Sequence, residues 1–226
     1  MPFIVLEGLD GAGKSTQLNK LISCISEKGE KYEYLHFPRF DAPFYGDLIA
    51  RFLRGEFGTV DQVSPWLVAL LFAGDRSEVA DTMQQWLDDG KFVLTDRFVY
   101  SNIAYQCAKV SDKAERDRLA DWIFDFEYNF NKIPRPDVSL FLDVPFHFTE
   151  SRLTEVRDGD DRSYLEGGRD IHESSLELQK RVRQIYLERA AVDPKLRVID
   201  CSDGNGTIDT PDNNFHKILN EIRGLL

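Results

Sequence analysis

Cysteine is scarce in this chain: Cys24, Cys107 and Cys201 stand far apart among 226 residues. That excludes a disulfide-stapled scaffold and matches no zinc spacing, so reduced thiols of a cytoplasmic protein are expected. Histidine is equally thin. His36, His147, His172 and His216 are scattered without metal-ligand spacing and are read as structural or surface residues. No apolar run approaches the ~20 residues that span a bilayer, and with a strand expected almost at Met1 no signal peptide is expected. A basic excess is also missing. Against 28 Lys and Arg stand 39 Asp and Glu, a net charge of -11, so neither nucleic acid nor an anionic membrane is an expected partner. An anionic ligand must be held by local positive groups within an acidic surface. There is no internal repeat and no linker, and a single unit over 1–226 is expected.

What is present is concentrated near the start. Pro2 to Leu6 reads as a short buried strand. It runs into Gly8-Leu9-Asp10-Gly11-Ala12-Gly13-Lys14-Ser15-Thr16, the G-x-x-x-x-G-K-[ST] phosphate loop. Lys14 to Lys28 follows as a helix with Leu18, Leu21, Ile22 and Ile25 on one face. The motif therefore has the strand–loop–helix setting its mechanism needs. The glycines let backbone N–H groups turn inward around a phosphate, and the helix N-terminus adds unpaired N–H groups and a positive dipole end. Lys14 can reach the β- and γ-phosphates, and the Ser15 hydroxyl can bind Mg²⁺.

Strand-like and helix-like segments alternate along the rest. Strands are expected at Tyr32–Phe37, 92–95, Val138–Asp143 and Leu196–Ile199, with apolar runs that suit a parallel sheet buried on both faces. One long helix is expected from Ser64-Pro65, a cap followed by Pro at the first helical position, to Gly90. Another carries Leu119, Trp122, Ile123, Phe126 and Phe130. A third carries Leu178, Val182, Ile185 and Tyr186, and the last starts at Thr210-Pro211. The alternation predicts a doubly wound α/β fold with a five-stranded parallel sheet. Two segments break the pattern. The stretch 41–58 is rich in Gly, Phe and charge. The stretch 157–170 holds three arginines, four aspartates and Gly159, Gly167 and Gly168, and is read as a mobile lid over about 157–171 that closes on phosphates.

Three classes of phosphate-loop protein compete. A signalling GTPase would carry Asn-Lys-x-Asp, but Asn131-Lys132-Ile133-Pro134 has Pro where the guanine-reading acid belongs. Asp96, ending a buried strand, suits a Mg²⁺-associated acid, yet Arg97-Phe98-Val99 follows it instead of the x-x-Gly of a GTPase switch. An ATP-driven machine usually needs a larger chain. A compact kinase with a second basic cluster for its acceptor fits best.

Four stations then make the chain resemble the thymidylate kinases over nearly its whole length: Glu7 to Thr16; Phe37-Pro38-Arg39-Phe40 continuing to Leu53-Arg54-Gly55-Glu56-Phe57; Leu71-Phe72-Ala73-Gly74-Asp75-Arg76; and Asp96-Arg97-Phe98-Val99-Tyr100-Ser101 with Ala104-Tyr105-Gln106. The resemblance implies Mg²⁺-dependent transfer of the ATP γ-phosphoryl group to dTMP, in a cytoplasmic protein that is usually a homodimer. It implies that Phe72 and Arg76, four apart on one helix face, stack on and hydrogen-bond thymine. Arg39 would meet the acceptor monophosphate, and Arg97 would stand between that phosphate and the transferred group. Asp10 would meet the sugar 3′-hydroxyl, and Asp96 would hold Mg²⁺ through water. Ser101, Tyr105 and Gln106 would lie near base and sugar, with Tyr105 crowding out a 2′-hydroxyl; Tyr100 and Ile103 read equally well as packing residues. Where some members carry a catalytic arginine in the phosphate loop, this chain has Gly11, so the lid should supply it. Arg162 fits by motif, Arg169 by register, and Arg157 is a third candidate. The loop 200–204 is expected to border the adenine. A kinase for dUMP, a modified deoxynucleotide or a deoxynucleoside, and a regulatory protein without turnover, remain as alternatives.

Overall fold

The computed structural model describes residues 1–154, 164–165, 170–172 and 175–226. Strand β1 (Phe3–Gly8) leads through the glycine loop into helix α1 (Lys14–Glu27), followed by β2 (Tyr32–His36), α2 (Tyr45–Leu53), α3 (Pro65–Glu78), α4 (Ala80–Asp88) and β3 (Phe92–Asp96). Then come α5 (Val99–Cys107), α6 (Lys113–Phe124) continued by a π-helical segment (Asp125–Phe130), β4 (Val138–Asp143), α7 (Phe146–Thr154), α8 (Leu176–Ala190), β5 (Leu196–Asp200) and α9 (Pro211–Ile222). The five strands pair in parallel in the order β2-β3-β1-β4-β5.

Alternation along β1 divides the core. Phe3 and Val5 face a cluster built from α3 to α6 and α8, including Ala69, Met83, Ile103, Leu119 and Val182. Ile4 and Leu6 face the opposite cluster, with Leu18, Leu21 and Ile25 of α1 and Ile218 and Ile222 of α9. Each such side chain contributes about 1.5–3 kcal/mol by leaving water. The sheet is thus covered on both faces, as suits a parallel sheet whose strand order runs outward from β1 in both directions. The inner strands β1 and β3 are buried throughout, and β4 is buried except at Asp143. The edge strand β2 leaves Tyr32 and Tyr34 at 37% and 41% exposure, and β5 is buried only at Leu196 and Ile199. An apolar or aromatic edge residue reads like an inner one in sequence, because only pairing decides how many faces are covered.

Two helix expectations are corrected. The stretch from Ser64 to Gly90 is two helices, broken at Val79, whose φ of -111° and ψ of 4° leave the helical region. The stretch carrying Leu119 to Phe130 leaves α geometry after Phe124 and finishes as a π turn. The irregular 41–58 segment contains α2, which packs on α3 across Gly74: a Cβ there would stand 2.2 Å from the Tyr45 ring.

Candidate active site

All five strands point their carboxyl ends to one edge, where open parallel sheets collect ligands. There β1 turns into the phosphate loop. Gly11 and Gly13 take φ of 77° and 84°, the left-handed region open to glycine, and Gly13 starts α1 with no side-chain cap on its first-turn amides. Lys14 folds back over the loop, with Nζ donating to the carbonyls of Leu9 at 3.2 Å and Gly8 at 3.4 Å. It stands 3.8 Å from Asp96, at the end of the adjacent β3. Burial, reinforced by Arg97, lowers the Lys14 pKa. Burial alone would raise the Asp96 carboxyl, but Lys14 and then His36, 3.6 Å away, outweigh it and hold it below its ordinary value.

The residue after Asp96 is bent to reach across the loop. Arg97 has φ of 65°, unusual for a side chain with a Cβ. Its guanidinium donates to the Gly8 carbonyl at 2.9 Å, to Ser101 Oγ at 3.2 Å and to Asp10 at 2.5 Å. Burial opposes its charge, but Tyr105 and Asp10 more than offset that. The Tyr105 hydroxyl donates to Asp10 at 2.8 Å and Gln179 of α8 approaches it at 3.3 Å. Asp10 and Arg97 therefore join the loop to α5 through one partly buried charge-assisted contact.

The far wall belongs to α3 and α5. Arg76 is 2% exposed and grips Glu127 of the π turn through Nε at 2.5 Å and Nη2 at 2.6 Å. Burial alone would lower its pKa, but Glu127 reverses the shift. Arg39 spends Nε and Nη2 on Asp75, at 2.9 and 2.8 Å, with Nη2 also 2.9 Å from Glu78. Tyr164 stacks on Phe40 with ring centroids 3.7 Å apart, and the Ile171 amide donates to the Leu53 carbonyl at 2.9 Å. The described residues of the expected lid thus lie on α2 and the loop before it.

One cleft of about 1690 Å³ joins these parts. It exceeds the roughly 300–1,000 Å³ of single-ligand pockets and suits two substrates end to end. Its lining brings together Asp10 to Thr16, Arg39, Phe72, Arg76, Asp96, Arg97, Ser101, Tyr105 and Gln106. Gly8 is not part of the lining, though its carbonyl accepts from Lys14 and Arg97, and Arg157, Arg162 and Arg169 fall outside the described residues.

His36, read in the sequence as a structural or surface residue, lines the cleft 3.6 Å from Asp96, and four further participants had no role assigned in sequence. Glu7 is fully buried and accepts from Ser101 Oγ at 2.5 Å, Tyr186 Oη at 2.9 Å and the Phe98 amide at 3.0 Å; burial raises its pKa. Asn102, 2% exposed, lines the cleft, and its Oδ1 has no hydrogen-bond partner. Glu127 and Gln179 complete the set. Glu7 carried a signal, a lone acid inside an apolar strand. The others needed helix contacts that spacing does not reveal.

A phosphate loop on the central strand of a parallel sheet, with an acid on the neighbouring strand, defines the phosphate-loop nucleotide-handling proteins. The model of one such family, thymidylate kinase, matches residues 6–208. A probable thymidylate kinase of Thermococcus kodakarensis is 34% identical over 91% of this chain and 92% of its own. The thymidylate kinase of Mycobacterium tuberculosis is 33% identical over 83% and 85%. The solved thymidylate kinase of Candida albicans superposes with a TM-score of 0.73 at 26% identity, covering 99% of this chain and 91% of that one. The chain belongs to the thymidylate kinase family.

Proposed function

We propose that the protein transfers the γ-phosphoryl group of ATP to dTMP, giving dTDP on the way to dTTP, and that 1–226 works as one kinase unit with a lid over about 157–171. The observation that carries this reading is the cleft in which a phosphate loop and a wall carrying Phe72 and Arg76 are joined by the Asp10–Arg97 contact. An ionised acceptor phosphate needs no strong base, so catalysis rests on alignment and charge neutralisation. Lys14 and Arg97 supply positive charge at the junction, with Arg162 or Arg169 as the lid's contribution. Phe72 and Arg76 receive the thymine, Arg39 the acceptor phosphate, and Ser101, Tyr105 and Gln106 border base and sugar.

Magnesium fits this site. Asp96 Oδ1 is buried without a hydrogen-bond partner, and Ser15 lines the same cleft. Among the described residues no three His, Cys, Asp or Glu gather into a cage, as suits an ion held largely by phosphates and water. Bound there by Asp96 and Ser15, Mg²⁺ would neutralise phosphate charge. Three unpaired cysteines suit a cytoplasmic setting. A homodimer is supported by Leu67 and Leu70, exposed together on α3 at 65% and 44%.

The test is ADP release from ATP and Mg²⁺ with dTMP, dUMP, UMP, dCMP, dGMP, AMP and thymidine as separate acceptors. Marked preference for dTMP is expected. Turnover only with another acceptor would discard the base assignment, and ATP binding without acceptor-dependent turnover would favour a regulatory protein.

A further inference from the structure

We propose that Glu127, remote from the reacting phosphates, is a positioning residue that fixes the pyrimidine-reading edge of the cleft and so sets its selectivity for a 4-keto over a 4-amino base. This rests on the functional reading above. Glu127 is fully buried, and both its carboxylate oxygens are in use. Oε2 accepts from Arg76 Nε at 2.5 Å; Oε1 accepts from Arg76 Nη2 at 2.6 Å and from Asn102 Nδ2 at 2.9 Å. Asn102 Nδ2 also donates to the Ala69 carbonyl at 3.0 Å. A carboxylate and a backbone carbonyl are pure acceptors. Both must face the nitrogen of the amide, so the amide has one allowed orientation. Its Oδ1 is left as a buried, unpartnered acceptor on a cleft-lining residue, a state that costs stability unless a ligand donates to it.

Glu127 imposes the complementary choice on Arg76. With Nε and Nη2 held by the carboxylate, Nη1 remains for the cleft. The wall therefore offers a donor beside an acceptor. Thymine and uracil present O4, an acceptor, beside N3–H, a donor, and match it. Cytosine presents a 4-amino donor beside the N3 acceptor, and opposes it at both points. A site built to hydrogen-bond one pattern rejects the other strongly, because its buried groups stay unpaired.

Local backbone geometry delivers Glu127. In the π turn the Asn131 amide bonds to the Phe126 carbonyl at 2.9 Å, five residues back. Phe126 keeps its stacks with Trp122 and Phe130, while Glu127 points inward to Arg76 and Asn102. Single π turns of this kind recur at functional sites.

The test compares kcat/KM for dTMP, dUMP and dCMP, and KM for ATP, in the full-length protein and in Glu127→Gln. A glutamine puts an N–H against Arg76 or Asn102 and removes the constraint on the amide. Its kcat/KM for dTMP should fall about 10–100-fold, the scale of a hydrogen bond to a charged group, chiefly through KM. The dTMP-to-dCMP ratio should fall at least about tenfold. The dUMP-to-dTMP ratio and the ATP KM should stay within about twofold, since neither involves this edge. Asn102→Leu, which keeps the Arg76–Glu127 pair, should lose the same selectivity, and the double variant should lose no more than the worse single one. If Glu127→Gln does not fold, Glu127→Asp takes its place: it keeps the charge but draws the carboxylate back from Arg76 and Asn102, and the same fall in the dTMP-to-dCMP ratio is expected of it. An unchanged dTMP-to-dCMP ratio in a folded variant, equal losses on dTMP and dCMP, or losses that multiply in the double variant would reduce Glu127 to a structural counter-ion and overturn the inference alone. A wild-type protein that does not phosphorylate dTMP would instead overturn the functional reading, and this inference with it.

Discussion

At the residue scale, the cleft is organised by charges withheld from water. Lys14 sits beside Asp96 and is pushed down by burial. Removing its charge should therefore act on chemistry more than on folding. Lys14→Met is expected to lower kcat by at least about 10²-fold with an unchanged far-ultraviolet CD spectrum, checked by steady-state ADP release. Lys109 shows the opposite balance. It packs over the Phe52 ring, 5.0 Å from its centroid, and donates to Gln106 at 2.8 Å, and burial lowers its pKa from 10.5 to about 7. The folded state thus binds its proton less readily than the unfolded chain. Below pH 7 both states carry the charge and the folded one bears its full cost. As pH rises from about 7 to 10.5 the folded state sheds the proton first and that cost disappears. Lys109→Met should accordingly stabilise the protein by about 1–2 kcal/mol at pH 7, and the gain in Tm should shrink at pH 9.5. An equal gain at both values would contradict the buried charge.

At the element scale, the wall proposed to receive the acceptor depends on how closely α2 approaches α3. The Tyr45 ring lies where a Cβ on Gly74 would stand, and Phe72, Asp75 and Arg76 flank that glycine. Gly74→Ala should force α2 away at a cost of about 1–3 kcal/mol and raise the dTMP KM more than the ATP KM, measured by urea unfolding and by kinetics. The same wall shows where sequence stops being informative. The face shared by Phe72 and Arg76 was legible from their spacing of four. That Arg76 would be spent on Glu127, 51 residues away, was not, because an acid within an aromatic helix looks equally suited to solvent. The break at Val79 and the π turn were hidden for a related reason. Apolar periodicity tolerates one extra or one missing residue per turn, so the pattern runs on where the backbone hydrogen bonds do not.

At the scale of the whole molecule, the loop, α3, α5 and α8 meet only because the strand order places β1 between β3 and β4. Binding should therefore be felt globally. Saturation with ATP and Mg²⁺ at 100 times Kd is expected to stabilise the fold by about 2.7 kcal/mol, and a chelator should remove both turnover and most of the Tm shift. The exposed pair on α3 bears on assembly. For the proposed homodimer, a double change of Leu67→Glu and Leu70→Glu should shift the sedimenting species from dimer to monomer, with secondary structure intact; a wild-type protein that sediments as a monomer would discard that proposal.

The sequence by itself determined the strand–loop–helix phosphate site, the α/β alternation and the four stations that mark the family. Each is written locally, in glycine positions, caps and short apolar runs, and needs no distant partner. Tertiary structure decided which strands lie at the edge, where α3 breaks, and which partners hold Arg39, Arg76 and Asn102. Those outcomes depend on burial and on contacts between residues far apart in the chain. A side chain's chemistry is fixed by its type, but its role is fixed by what surrounds it once water is excluded.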